Sequence, residues 1–122
     1  MGSGKNAPLL AAIKHALRGI AAAMRGERNF RIQLVLGFVA IVVTLALGPP
    51  PVWIALIVIM TGVVLAAELV NTALEHALDA THPEPSPLVR IAKDCSAAAV
   101  LVLSITAVAV FALMVVVHAH GK

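Results

Sequence analysis

"WIALIVIMTGVVLAAELVNTALEHALDA", residues 53–80, is the stretch that decides the fold. Its first half carries no charge. Its second half carries Glu68, Asn71, Glu75 and Asp79, and after Ala67 no glycine or proline interrupts the chain before Pro83. Residues this rich in helix formers continue the helix rather than end it. The expectation is one long helix over 52–80 that starts in hydrocarbon and finishes in water.

At about 100° per residue, with Glu68 at zero, Asn71 falls near −60°, Glu75 near −20°, Asp79 near +20° and Thr72 near +40°. The polar residues therefore share one stripe, roughly 16 Å long at about 1.5 Å per residue. A carboxylate at the membrane centre costs roughly 2.5–3.5 kcal/mol on insertion scales, and less near the surface. Three carboxylates on one stripe also repel one another. A cationic partner is the natural remedy, and carboxylate oxygens suit Mg²⁺. A blander use of Asn71 and Thr72 is hydrogen bonding to neighbouring helices.

Two more charge-free runs flank this helix. They are "IQLVLGFVAIVVTLALG" at 32–48 and "CSAAAVLVLSITAVAVFALMVVV" at 95–117. With 61% hydrophobic and only 12% charged residues, the chain is too oily for a soluble globular domain. The expected class is all-α integral membrane. It has three transmembrane helices (30–48, 52–80 and 91–118) and an N-terminal surface helix (8–26), all in a single membrane domain, 1–122. The late first apolar run, behind a long basic segment, is unlike a secretory signal. Cys95 is the only cysteine, so no disulfide forms within the chain, and it is expected to pack near a helix start.

The basic residues set the orientation. Lys5, Lys14, Arg18, Arg25, Arg28 and Arg31 precede the first span, and Arg90 and Lys93 lie between the second and third. The turn "GPPP" at 48–51 has no charge. The positive-inside rule places the N-terminus and the 80–94 loop in the cytoplasm, and the proline turn and the 118–122 tail outside. A net charge of +3 suits anionic lipid heads and calls for no nucleic acid.

Pro8 suits a first helical turn. Leu9, Leu10, Ile13, Leu17, Ile20 and Met24 then recur at helical spacing, with Lys14, Arg18 and Arg25 on another stripe. This is an amphipathic basic helix, either in the membrane interface or packed on the spans. "GSGK" at 2–5 lacks the spaced first glycine, the following Ser/Thr and the preceding strand of a phosphate loop. Glu27 stands where the surface helix meets the first span and is also spaced to pair with Arg31 at i+4. Lys93 and Asp94 stand at the entry to the third. Carboxylates, a lysine and a divalent cation on one side of a membrane make a plausible nucleotide site.

"ERNFRIQ" (27–33), "ELVNTALEHALD" (68–79) and "AKDCSAAAVL" (92–101) together resemble the prokaryotic diacylglycerol kinase family, which includes the undecaprenol kinases of Gram-positive bacteria. The resemblance runs from about Leu9 to His118. It implies a small integral-membrane lipid kinase in the bacterial inner membrane, working as a homotrimer with sites shared between subunits. By position, Glu68 matches the general base. Glu27 and Glu75 match the carboxylates that hold Mg²⁺ and ATP, and Asn71 and Asp79 are supporting polar residues. Lys93 and Asp94 match nucleotide contacts, and Glu84 and Ser86 fall where the family's loop touches ATP.

Departures from the best-known diacylglycerol kinases are His15 in place of a tyrosine, Ala97 in place of a serine, and a surface helix without tryptophan. "ERNF" and the His82-Pro83 loop look more like the undecaprenol-phosphorylating branch. The resemblance therefore implies phosphoryl transfer from ATP to undecaprenol, with diacylglycerol as the alternative lipid. Rival readings of the residues are a small proton-coupled membrane transporter and a non-catalytic assembly subunit. Three spans and a stripe that reaches the membrane surface argue against the first. The second leaves the stacked carboxylates without a cationic partner.

Overall fold

The computed structural model describes residues 7–119. The readings of "GSGK" and of residues 120–122 lie outside that range. Four helices follow in order: α1 (Ala7–Gly26), α2 (Arg28–Leu47), α3 (Pro51–Thr81) and α4 (Pro87–Ala119). Among the described residues every regular element is helical, and α2, α3 and α4 are each long and apolar enough to cross a membrane. This is the all-α class with three membrane-length helices read from the sequence.

The joints follow from local chemistry. Glu27 breaks the helix for one residue, in an extended conformation (φ −115°, ψ 104°), and α2 restarts at Arg28. Gly48 ends α2 in the left-handed conformation, φ 62°, and its N–H bonds the Thr44 carbonyl at 3.2 Å. Glycine takes that conformation without a steric penalty. Pro51 then opens α3 at the first helical position, where a missing N–H costs nothing. The same logic moves the start of α4. The apolar pattern suggested 91, but Pro87 can begin a helix and does.

α3 is the axis of the packing, held between α4 and α2, while α1 lies against α2 and α3. α2 and α3 approach closely at Gly37, where an added Cβ would run into the Thr61 methyl group. Thr61 is short and β-branched, and its hydroxyl already bonds the Ile57 carbonyl at 2.8 Å, so it yields little. Gly37→Ala is therefore expected to destabilise the protein by about 1–3 kcal/mol. Adding Thr61→Ser, which removes that methyl and keeps the hydroxyl, should restore the thermal midpoint in detergent. A midpoint unmoved by Gly37→Ala alone contradicts the close approach.

The core is thin. Ala23, Phe30, Ile57, Val64, Val100 and Met114 are buried, while large side chains such as Val35, Phe38, Val70, Val102 and Val108 face outward. Such a surface is tolerable only beside lipid or another apolar face. On α1, Leu9, Leu10, Ile13, Leu17, Ile20 and Met24 are all exposed, and only Ala23 is buried. The apolar face of α1 is thus not packed on the spans. An uncovered apolar face backed by basic residues is what an interfacial helix presents to a bilayer. Cys95, expected to pack near a helix start, is exposed, and α4 begins earlier, at Pro87.

Candidate active site

α3 has 31 residues and is roughly 46 Å long at about 1.5 Å per residue, against a hydrocarbon thickness of about 30 Å. Glu68 lies about 26 Å along it from Pro51. With the proline turn at one membrane face, Glu68 falls just inside the other, and Asp79 projects beyond it. Exposure along the stripe rises in the same direction. Glu68 is 4% exposed. Asn71, Thr72 and Glu75 are half-buried, and Asp79 is open.

Around Glu68 three helices contribute polar groups. Glu27, at the α1–α2 joint, and Glu75, two turns along α3, both lie within electrostatic reach of it, and the Gln33 side chain from α2 lies beside it. Gln33 also donates to the Ser104 hydroxyl of α4 at 2.9 Å. Asn71 donates to Glu75 at 3.4 Å, and its carbonyl oxygen is buried with no hydrogen-bond partner among the described residues. Asn71 therefore bonds within its own helix, not to a neighbouring one. Its free oxygen sits beside the carboxylates, one acceptor short of a donor or a cation.

The i+4 pairing of Glu27 with Arg31 does not form. Arg31 instead donates to the carbonyls of Met24 and Arg25, at 2.9 and 3.2 Å. These are exposed acceptors at the C-terminal end of α1, where a cation is favoured. Glu27 is left facing α3, with His76 Nε2 3.8 Å away.

A second group gathers at the α3–α4 loop. A cavity of about 380 Å³ is lined by Asp79, Glu84, Ser86, Lys93 and Asp94, together with His82, Arg90 and the loop prolines. Every residue expected to contact nucleotide from this part of the chain borders that one space. Lys93 forms an ion pair with Asp79 across it. Both groups are accessible to solvent, so the pair adds little to stability and separates readily. Glu27 and Glu75 are not part of this lining. They belong to the carboxylate group around Glu68, and the stripe of α3 joins the two, since Asp79 is one turn beyond Glu75.

Among the described residues no three acidic, histidine or cysteine side chains close on one point as a complete metal cage. Mg²⁺ at phosphoryl-transfer sites takes one or two carboxylates and completes its shell with water and substrate phosphate. Glu27 and Glu75, both near Glu68, and the unpaired oxygen of Asn71, whose amide bonds Glu75, are hard oxygen donors of that kind, so the residues fit the ion.

A family model described as prokaryotic diacylglycerol kinase matches residues 14–115. The chain belongs to the prokaryotic diacylglycerol kinase family. Within it, similar proteins include a diacylglycerol kinase of Synechocystis, 37% identical over 84% of this chain and 59% of the relative. An undecaprenol kinase of Bacillus subtilis is 32% identical over 75% of this chain and 74% of its own length. A diacylglycerol kinase of Haemophilus influenzae is 32% identical over 77% of this chain and 80% of its own. The match thus spans 59% of the Synechocystis protein and 74% and 80% of the other two. All three stretches of sequence that first suggested the diacylglycerol kinase family fall within the matched segment.

Sequence reasoning missed Gln33 and Ser104 as parts of the site. A signal for both was present. A carboxamide and a hydroxyl inside otherwise apolar spans must find partners, because the hydrocarbon offers none.

Proposed function

We propose that this protein is a membrane lipid kinase that transfers the γ-phosphoryl group of ATP to the primary hydroxyl of undecaprenol, giving undecaprenyl phosphate and ADP. The observation that carries this reading is the stripe of α3. It joins a buried carboxylate to a polar cavity in the loop region. A lipid hydroxyl reaches the first from the bilayer, and a nucleotide reaches the second from water.

In this reading the lipid hydroxyl oxygen attacks the γ-phosphorus, and the bond from that phosphorus to the β–γ bridging oxygen breaks. Glu68 accepts the hydroxyl proton. Glu27 and Glu75 would hold Mg²⁺, which would supply positive charge against the phosphates. Asn71 supports the same group of oxygens. Lys93 exchanges Asp79 for a phosphate oxygen, and Asp94, Glu84 and Ser86 bound the nucleotide space.

Undecaprenol is favoured by "ERNF" and the His82-Pro83 loop. Diacylglycerol, giving phosphatidic acid, is the second reading, since two of the three relatives described above carry the name diacylglycerol kinase. Purified protein in mixed micelles, supplied with Mg²⁺–ATP and each lipid alcohol in turn, decides between them. Formation of ADP is expected only with a lipid alcohol, and faster with undecaprenol. Equal or greater rates with diacylglycerol reverse the substrate assignment. No lipid-dependent turnover with either alcohol removes the kinase reading.

The proposed location is the bacterial inner membrane, with the N-terminus and the α3–α4 loop in the cytoplasm, on the distribution of arginine and lysine. In a Cys95→Ala background, a cysteine replacing Pro50 should label from outside intact cells and one replacing His82 should not. The opposite pattern overturns the orientation. The proposed assembly is a homotrimer, which would cover part of the outward apolar surface.

A further inference from the structure

The general base proposed above is buried among carboxylates, and a base works only when its lone pair is aimed. On α3, Asn71 bonds to Glu75 and not to Glu68. The neutral donor beside Glu68 is Gln33, from a different helix. A glutamine side chain has three rotatable bonds, so left alone it would not hold one direction. Here it is held, because it donates to Ser104 Oγ at 2.9 Å from a residue 71 positions away in sequence. A carboxamide nitrogen carries two hydrogens. With one on Ser104, the other is free for the Glu68 carboxylate, beside which the Gln33 side chain lies. The chain Ser104–Gln33–Glu68 therefore links α4, α2 and α3 at the depth of the reaction.

We propose that Ser104 is a positioning residue for phosphoryl transfer, acting through Gln33 to orient the carboxylate of Glu68. The inference rests on the kinase reading. A neutral amide suits this task. It donates to Glu68 without adding charge to a group that already holds Glu27 and Glu75. Ser104 also lines, with Gln33, Gly37, Thr61 and Val108, an otherwise apolar groove of about 240 Å³ between the three spans. The groove holds little polar surface to compete for the hydroxyl. Networks of this kind gain strength from their low-dielectric surroundings, and their members act together.

The test compares Ser104→Thr with Ser104→Val, which share a shape and differ by the hydroxyl. Lipid-dependent ATP turnover is measured alongside KM for Mg²⁺–ATP and the thermal midpoint. The expected result is kcat within about twofold of the parent for Ser104→Thr and about 5- to 10-fold lower for Ser104→Val. A factor of ten is the effect of one neutral hydrogen bond at the upper end of its usual range. KM for Mg²⁺–ATP should stay within about twofold in both. In a Gln33→Leu background, which has no amide to orient, the difference between Thr and Val should vanish.

Equal kcat for the two variants in the parent background overturns the proposal. So does a Thr-to-Val difference of the same size in the Gln33→Leu background, since Ser104 would then not act through Gln33. So does a kcat loss matched by a fall in thermal midpoint that a stabilising lipid restores. If the parent protein turns over ATP with lipid and Glu68→Gln is inactive while Ser104 is neutral, this inference fails and the kinase reading stands. If the parent has no lipid-dependent turnover, the reading beneath it fails.

Discussion

Glu68→Gln is expected to lower kcat for lipid phosphorylation by about 10²–10⁴-fold, the usual contribution of a positioned general base. The substitution keeps the shape and removes the proton acceptor. Its effect on stability should have the opposite character. Glu68 is 4% exposed and lies beside two other carboxylates. Removing a buried charge from a like-charged group does not weaken the fold, so the thermal midpoint should stay level or rise. Binding of Mg²⁺–ATP, measured by calorimetry or a fluorescent analogue, should also survive. Activity within tenfold of the parent would falsify the role of base. Loss of activity together with loss of the fold would contradict the electrostatic picture of the site.

The same variant tests the assembly. If the carboxylate group of one subunit works with the loop cavity of its neighbour in the proposed trimer, mixing inactive Glu68→Gln with inactive Lys93→Ala subunits should restore part of the activity. Verified subunit exchange without any recovery at any ratio refutes that division of the site.

Glu75→Gln is expected to raise KM for Mg²⁺–ATP at least tenfold or to abolish turnover, without loss of lipid binding. Three features of Glu75 point there. It lies between the buried base and the solvent-filled end of the stripe, and it faces Glu68. It also accepts the one hydrogen bond that the Asn71 amide makes. An amide at position 75 is a poorer ligand for a hard cation than a carboxylate. The decisive readout is the dependence on free Mg²⁺, which should shift to higher concentration while KM for the lipid alcohol stays within about twofold. Near-normal kinetics across the Mg²⁺ titration remove Glu75 from the metal assignment.

These predictions draw on two kinds of information. The helices were legible because their signals are local. An uninterrupted apolar run, Gly48 before the prolines and a polar stripe at helical spacing act within a few residues of one another. The break at Glu27 was legible for the same reason, since Gly26 and the charged run after it sit at a change of composition. One boundary moved, at Pro87, because proline can begin a helix as well as end a loop.

What lies between helices was another matter. The stripe of α3 is fixed by the helical repeat, but nothing local sets which side of α2 or α4 turns towards it. That rotation is settled by packing, through contacts such as the one Gly37 permits against Thr61. It carries Gln33 and Ser104 into the site together and leaves Cys95 outside. Arg31 had two local options, the Glu27 carboxylate and the carbonyls at the end of α1. The bend at Glu27 brought the α1 carbonyls within 2.9 and 3.2 Å and decided it. Local signals specify three membrane-length helices, an amphipathic first helix and a graded line of acids. Which neighbours those acids meet is set by packing, because partners dozens of residues apart are chosen by helix rotation and close approach, and neither has a local signature.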